Sequence, residues 1–529
     1  MSQVKINGKT YEFKEGCTIL ECASENGISI PTMCYLKETG ALTSCFICAV
    51  EVEGKANLLP ACATKAKEGM VIITDSIRVR EARKKALELL LSDHTGDCLG
   101  PCHMGCPAHI NIPKFIGELC RGDNKAAIIT IKKSVALPAV LGRICPEICE
   151  KVCRRNDKDS PVAICHLKRY AADFDLLSPD PYLPSVAKST GKRVAVIGGG
   201  AAGLTAAYYL KQFGHEVTVF EKNEKLGGGL RSGVKKERLP EEVLDKEIGQ
   251  ILKLGVAVKL KTELGRDIGL KEVRESFDAV FLAAGWNSEV LEVFRKEGLA
   301  VDSSGVRVSG PAYETNIKGV FAGEKTKLAV RASAIGRFVA VTIDKYLKGL
   351  PLEPEKKPFS VKMGKVSQEE LEILTQGASE SERFLKDQVD TTISKENSGE
   401  ERIPFLTGEV FEESKRCLRC ACRKEETCLL KKYSIEYDAD IGAFKGQKRG
   451  FTRDIKKTGV VYESGKCIMC GICVEISKKN KEISGFTYIN RGFNAKIDVP
   501  FNKKINKVMQ KTAEECAEKC PTGAISKSL

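Results

Sequence analysis

No apolar run in the chain is long enough to cross a bilayer; its most apolar stretch, between Arg193 and Phe220, is broken by glycines. The opening residues, MSQVKINGKTY, are polar and alternating and lack the apolar segment of a secretory leader. Aromatic residues are scarce, 6% with a single tryptophan, and no patch interleaves them with the scattered lysines. The formal charge of +14 is therefore not read as a nucleic-acid footprint. No Ser–His–Asp or hydrolytic metal constellation stands out either. These absences lead to the expectation of a cytoplasmic protein with no membrane span, no nucleic-acid partner and no hydrolytic chemistry.

Cysteine is abundant instead. Its 23 residues fall in tight CxxC and CxxxC groups, which favour metal over disulfide in a reducing compartment. Cluster-bound thiolates would also explain the charge, since each four-cysteine iron–sulfur core carries about −2 and about five of them offset most of the excess. At 529 residues the chain exceeds one core, and roughly three to five domains are expected.

The organising stretch is Arg193–Glu221, RVAVIGGGAAGLTAAYYLKQFGHEVTVFE, which reads strand, glycine turn, helix, strand, acid. Gly198, Gly200 and Gly203 suit a tight turn, close approach of a pyrophosphate and packing of helix on sheet. Glu221 stands where a carboxylate can accept hydrogen bonds from the ribose of an adenine dinucleotide. Ala201 and Ala202 open the helix, and Lys222 follows the acid.

Cysteines flank this stretch on both sides. Residues 1–75 read as a small β-rich domain, with a strand over Val4–Phe13, a helix over Thr18–Asn26, and Cys34, Cys45, Cys48 and Cys62 at C-x10-C-x2-C-x13-C, the pattern of a [2Fe–2S] centre. Cys17 and Cys22 read as apolar fillers. The text TSCFICAVEVEGKANLLPACATK resembles the amino-terminal β-grasp ferredoxin domain of the large iron–sulfur subunit of complex I and of iron-only hydrogenases. A helix follows from Asp75 to Leu91, and His94 stands four residues before Cys98, as in that subunit's histidine-ligated [4Fe–4S] motif.

From Cys98 the resemblance changes. CLGPCHMGCPAHINIPKFIGEL and LPAVLGRICPEICEKVCRRNDKDSPVAICHLKRYAADF are similar to the helical two-cluster domain of the glutamate synthase small subunit, shared by the amino-terminal part of dihydropyrimidine dehydrogenase. That resemblance implies one [4Fe–4S] set from Cys98, Cys102 and Cys153 and another from Cys106, Cys145 and Cys149, each one ligand short. His94 is the expected substitute in the first. In the second, the family's carboxylate or amide is replaced by Lys168, which as an ammonium cannot ligate. Cys165, one helical turn earlier on the same face, is the expected ligand, and Cys120 is assigned to the core.

The three prolines of Pro179–Pro184 lead into the nucleotide domain. There KNEKLGGGLRSGV, FDAVFLAAGW, TNIKGVFAGE and SAIGRFVAVTIDKYL resemble the same flavoprotein family. The resemblance implies FAD, with Gly228, Arg231, Ala284, Gly285, Gly323, Glu324 and Ala334 near it; Glu324 replaces the usual aspartate. Residues 287–314 cross, without a second GxGxxG, the gap where glutamate synthase small subunits carry their NADPH domain, so that domain is expected to be missing. Cys417, Cys420, Cys422 and Cys428 follow a charged connector and suit one cluster or a zinc ion. Cys467, Cys470, Cys473 and Cys520 have ferredoxin spacing, again resembling the complex I subunit, with Cys516 left over as a neighbour.

The expected architecture is multidomain, α+β and α/β: a [2Fe–2S] ferredoxin domain (1–75), a helical two-cluster domain (76–178), a Rossmann-like FAD domain (179–352), a connector (353–412), a four-cysteine motif (413–440) and a ferredoxin-like [4Fe–4S] domain (441–529). The expected function is that of an electron-transfer subunit of an anaerobic oxidoreductase complex, with FAD, one [2Fe–2S] and about four [4Fe–4S] centres. Expected partners are a flavoprotein with its own nicotinamide site, a formate dehydrogenase-like or hydrogenase-like subunit, or ferredoxin. The alternatives are a subunit that meets NAD(P)H, possibly with electron bifurcation, and a wiring subunit whose FAD is only structural.

Overall fold

The computed structural model describes residues 2–353, 358–384, 394–395, 401–402, 407–455, 459–482, 484–500 and 512–527. The chain forms two compact units, one of Met1–Gly100, Pro358–Gly377 and Arg419–Leu529, the other of Pro101–Lys357 and Ala378–Leu418. This division into units cuts across the expected segments 76–178 and 413–440. The helix Ile77–Ser92, capped by the Ser76 hydroxyl, belongs with the first unit, and the four-cysteine motif is divided after Leu418.

The first unit begins with a five-stranded sheet in the order Lys9–Phe13, Ser2–Ile6, Val71–Ile73, Ala49–Val52, Leu59–Pro60. What the alternation suggests as one strand over Val4–Phe13 is a hairpin, turned at Asn7 and Gly8, whose φ values are 49° and 85°. Asn-Gly between two alternating runs is the signal for such a turn. The helix Ile19–Glu25 is fixed by a capping box in which Thr18 and Glu21 satisfy each other's backbone N–H groups. Buried Arg83 ties this domain to later chain, donating to Ala49 and Thr74 carbonyls and to the Tyr437 hydroxyl, each at 2.9 Å. The carboxyl-terminal part adds an antiparallel sheet of Arg453–Ile455, Val460–Glu463 and Ile525–Lys527 with the helices Ile472–Lys479 and Ala513–Lys519.

The connector is only partly a spacer. Its Val361 carbonyl accepts from Cys98 at 3.1 Å and its Ser360 hydroxyl from Leu99 at 3.1 Å, so this piece packs against the Cys98 loop. A short helix, Gln368–Thr375, follows, while residues 354–357, 385–393, 396–400 and 403–406 of the connector lie outside the described residues.

The second unit joins a helical segment to a five-stranded parallel sheet, ordered Ala257–Lys259, Glu216–Phe220, Arg193–Ile197, Ala279–Leu282, Val320–Ala322. Ile128, Leu137 and Val140 of the helices share one hydrophobic core with Val194, Leu204 and Val219. Polar ties reinforce it: Glu247 accepts from the Ala139 and Val140 amides at 2.7 and 2.8 Å, and Lys132 donates to Asp175 and Gln250, each at 2.6 Å. Residues 287–314 hold an α-helix, Ser288–Lys296, a hairpin of Val301–Asp302 with Gly305–Val306, and a single 3-10 turn at Gly310–Ala312. Trp286 packs edge-on against Phe294 there.

Candidate functional site

The glycine turn adopts a form that side chains would block. A Cβ on Gly203 would lie 1.9 Å from the Gly198 carbonyl oxygen, so only glycine lets the helix Ala201–Gln212 approach the strand end. A Cβ on Gly336 would lie 2.2 Å from the Ala202 carbonyl, which lets the helix Ala329–Leu347 cross closely against it. Buried Glu221 accepts from the Gly199 amide at 2.8 Å with one oxygen and from the Asn223 backbone and side-chain amides at 3.0 and 2.6 Å with the other. The oxygen that accepts only from Gly199 keeps a further lone pair for a ligand hydroxyl.

Two cavities meet over this turn and share Gly200, Gly229, Ala283, Gly285 and Trp286. The smaller, about 340 Å³, has Glu221, Lys222, Gly228 and Ala284 in its wall. The larger, about 870 Å³, is lined by Ala201, Ala202, Gly323, Glu324 and the first turn of the helix Ala329–Leu347. A continuous cleft that runs from an acid at a strand end, over a glycine turn, to a helix amino terminus has the layout of a dinucleotide site.

Two of the expected contacts fall elsewhere. Arg231 donates to the Leu226 carbonyl at 3.0 Å and pairs with Asp245 and Glu241, so neighbouring acids hold it away from the cleft wall. Ala334 is buried in the hydrophobic core because the helix begins at Ala329, and Leu328, Ala329, Val330 and Ala332 meet the cavity instead. The sequence reading missed Ile144, Pro146, Arg238 and Trp286 as lining residues. The first two carry no nucleotide signature, being neighbours of a cysteine.

That cysteine leads to the best-formed thiol set of the second unit. Cys106, Cys145, Cys149 and Cys165 are mutual electrostatic neighbours around one spot. The Cys165 thiol, hydrogen-bonded to Cys145, brings the latter down to about 6, whereas burial raises Cys149. Cys165 is anchored by its amide, which donates to buried Glu150 at 2.9 Å; burial brings that carboxyl up to about 7. Lys168 lies in the same helix, with its Nζ 3.7 Å from the Cys165 sulfur and 3.3 Å from the Leu141 carbonyl. Burial works against the charge of Lys168, but the four thiols outweigh it and raise its pKa. Cys102, Cys153 and Cys417 pack against the same core as this set.

In the first unit, Cys34 hydrogen-bonds Cys45 and Cys48 hydrogen-bonds Cys62, two pairs side by side as a binuclear centre requires. Cys467, Cys470, Cys473 and Cys520 line one small apolar cavity with Tyr462, Ile472 and Ile525. Burial pushes Cys467 up to about 11, with Cys520 adding to it. Cys516 donates to the Cys473 carbonyl at 3.8 Å and stays outside that cavity wall. The two sites adjoin, since the Ser44 hydroxyl donates to the Cys470 carbonyl at 3.4 Å.

Cys98, Cys422 and Cys428 form a third set, against the expected grouping of Cys98 with Cys102 and Cys153, and of Cys422 and Cys428 with Cys417 and Cys420. The reason is local pairing: the Cys422 amide donates to the Cys98 carbonyl at 3.2 Å. Burial, then Cys422, raises Cys98 to about 11 and Cys428 to about 12. His94 is buried with its Nδ1 unpartnered, and burial together with Lys466, Lys448 and Arg449 holds its imidazole down to about 3, hence neutral. Lys466 lies close by: a Cβ on Gly96 would meet its side chain at 2.6 Å, and one on Gly523 would meet the Cys422 sulfur at 2.2 Å and Lys466 at 3.7 Å. Beneath lies buried Glu463, bound by Lys466 at 2.6 Å, Arg453 at 2.9 Å and Arg423 at 3.4 Å. Burial alone would raise this carboxyl, but the three cations hold it down to about 2.

Three family models match parts of the chain: a 2Fe-2S iron–sulfur cluster binding domain over residues 1–76, the dihydropyrimidine dehydrogenase domain II with a 4Fe-4S cluster over 92–178, and an NAD(P)-binding Rossmann-like domain over 196–254. The chain is 38% identical over 206 residues to the NADP(+)-dependent formate dehydrogenase subunit beta of Moorella thermoacetica, covering 35% of this chain and 29% of that one. It is 37% identical over 187 residues to the NAD-dependent dihydropyrimidine dehydrogenase subunit PreT of Salmonella typhimurium, 35% of this chain and 45% of that one. With the glutamate synthase [NADPH] small chain of Escherichia coli it shares 32% over 256 residues, 47% of this chain and 53% of the other. The chain thus spans between about a third and a half of these relatives. They are oxidoreductase subunits, and the expected mixed α/β architecture with 2Fe-2S, 4Fe-4S and Rossmann-like domains is present. Among the described residues no helix is long and apolar enough to cross a membrane.

Proposed function

We propose that the chain is an FAD- and iron–sulfur-containing electron-transfer subunit of a larger oxidoreductase complex. The observation that carries this is the wall between cleft and thiols: Ile144 and Pro146, which line the 870 Å³ cavity, are the two neighbours of Cys145. Arg238 fixes that wall, donating to the Arg143 and Ile144 carbonyls at 3.3 and 3.2 Å. A ring system seated in this cavity would be within one residue of a cluster ligand.

When bound, FAD takes up electrons in pairs or singly and iron–sulfur centres one at a time, so the two together convert one currency to the other. The residues do the rest. Glu221 and the glycine turn hold the adenine end, and the amino end of the helix Ala329–Leu347 faces the ring end. Cys106, Cys145, Cys149 and Cys165 hold one [4Fe–4S] centre, and Cys467, Cys470, Cys473 and Cys520 another, while Cys34, Cys45, Cys48 and Cys62 hold the [2Fe–2S] centre. His94 joins Cys98, Cys422 and Cys428 for a further [4Fe–4S] centre; a neutral imidazole with a free ring nitrogen is the required ligand form. Cys102, Cys153 and Cys417 of the second unit and Cys420 of the first remain as further candidate ligands.

A second reading is favoured by the names of the relatives and by the Rossmann-like match: that NAD(P)H reduces the chain directly. Against it, the one glycine cradle among the described residues is already spoken for by FAD, and the segment 287–314 supplies a short helix and hairpin where a second cradle would be needed. The experiment is anaerobic stopped-flow mixing of the lone subunit with NADH and NADPH, watched at flavin wavelengths, after acid release has identified the flavin. FAD with negligible reduction supports the proposal, and with it a partner flavoprotein, formate-oxidising or hydrogen-oxidising subunit as the donor. Reduction at catalytic rates would overturn it in favour of the second reading, and absence of flavin would remove both.

A further inference from the structure

We propose that Lys168 is a positioning residue for electrons: its buried ammonium raises the reduction potential of the centre held by Cys106, Cys145, Cys149 and Cys165, and makes that centre the preferred one-electron acceptor beside the cleft. The inference rests on the ligand reading given above.

The geometry is specific. Lys168 is 4% exposed, follows Cys165 by one helical turn, and aims its Nζ at the Cys165 sulfur at 3.7 Å. Its other contact is the Leu141 carbonyl at 3.3 Å, and among the described residues no carboxylate pairs with it. The nearby acid, Glu150, is directed elsewhere, accepting from the Cys165 amide at 2.9 Å and pairing with Arg383. Glu150 meets Lys168 only through space and not by a hydrogen bond, so the ammonium's closest partner is the Cys165 sulfur and most of its charge acts on the thiolates. Reduction adds one negative charge to the cluster, and a fixed cation a few ångströms away in a low-dielectric interior stabilises that extra charge more than it stabilises the oxidised form. Potentials of such centres are set by net charge and by hydrogen bonds to the sulfurs, and an ammonium at sulfur distance supplies both.

An exposed salt bridge could not do this, because water and salt would screen it. Replacing a ligand position by Cys165 while keeping a lysine one turn on has another result: four thiolates bind the iron, and the lysine offsets part of their charge. The buried cost of the lone ammonium is repaid only by the cluster.

The test is a potentiometric titration of the full anaerobically purified chain, followed by low-temperature paramagnetic spectra, on K168Q, K168M and K168R. The signal that C165S alters identifies the centre. In K168Q and K168M the ratio of reduced to oxidised centre at a fixed potential should fall at least tenfold, which for one electron is about 59 mV. K168R, which keeps the charge, should stay within about threefold of the unmodified chain, and the other centres should keep their midpoints. A K168Q midpoint unchanged within about twofold would overturn the proposal, as would equal shifts in K168R and K168Q, which would point to shape and not charge. Should K168Q and K168M not retain their iron, the unmodified chain decides: this centre should be reduced before the other [4Fe–4S] centres, and its reduction after them would overturn the proposal. An unaltered spectrum in C165S would instead defeat the ligand reading on which it rests.

Discussion

Cys34, Cys45, Cys48 and Cys62 come from one loop-rich stretch, whereas Cys106, Cys145, Cys149 and Cys165 are gathered from separate helices, or the residues just past them, of the second unit. The first set pairs its thiols with each other and with the backbone of their own loop. The second is surrounded by long side chains: Lys168 one turn after Cys165, Glu150 next to Cys149, and Arg383 from far along the chain. A local site can be built by loop geometry alone. A gathered site needs its surroundings to bring it together, and those surroundings then become available to set its chemistry.

The comparison can be broken most directly by removing ligands. With one [2Fe–2S] and four [4Fe–4S] centres loaded, iron analysis should give about eighteen atoms per chain. Cys165→Ser should lose or convert one four-iron centre, and Cys45→Ser the two-iron centre, while Cys516→Ser should leave iron and spectra unchanged because its sulfur serves only the Cys473 carbonyl. Full iron in Cys165→Ser would show that the helical set does not need its fourth thiol.

A smaller loss is expected at Glu463, which pairs with three buried cations. Glu463→Gln should destabilise the first unit by about 3–5 kcal/mol, the cost of stranding buried charge, read from denaturant unfolding. Its carboxyl is held below the unfolded value, so the contribution is present above about pH 4.5 and lost as pH falls towards 2. A change below about 1 kcal/mol would mean that the cations are satisfied by something else.

Glu247 has the opposite sign. Burial raises its carboxyl from 4.5 to about 7, even though two amides favour its ionised form. The folded second unit therefore holds a proton that the unfolded chain has released, and stability should decline by up to about 3 kcal/mol as pH rises from 4.5 to 7. In Glu247→Gln that slope should be reduced while the first unit's unfolding keeps its pH profile; identical slopes would contradict the assignment.

The smallest effect belongs to the hairpin. Gly8→Ala, at φ 85°, should cost about 1 kcal/mol in the amino-terminal domain and leave every cluster signal intact.

Much of this was legible in the chain. Spacing picks out Cys34–Cys62 and Cys467–Cys520 because those ligands sit on local loops or beside a Cys-Pro, and the glycine turn with Glu221 places the nucleotide cleft. The pairing of Cys98 with Cys422 was not legible, since no periodicity links residues on either side of so long an excursion; only the amide of Cys422 meeting the carbonyl of Cys98 does so. Ile144 and Pro146 were missed for a related reason: a lining residue needs shape, and shape comes from how Arg238 and Glu247 dock helices on the sheet. The Asn7–Gly8 turn was legible and overlooked, because alternation continues in phase across a two-residue hairpin.

The clamp made by Arg238 and Glu247 has a bearing on control. Adjacent domains joined by small wet interfaces swing against each other, and many redox proteins use that swing as a valve. Here Ile144 of the cleft wall packs against the core that joins helices to sheet, Cys145 is the next residue, and Glu247 ties the preceding helix by buried hydrogen bonds, so on the proposed function the span an electron would cross between cleft and thiol is constant. A fixed span leaves no mechanical valve at this step, and the direction of flow through it is left to the relative potentials at its two ends.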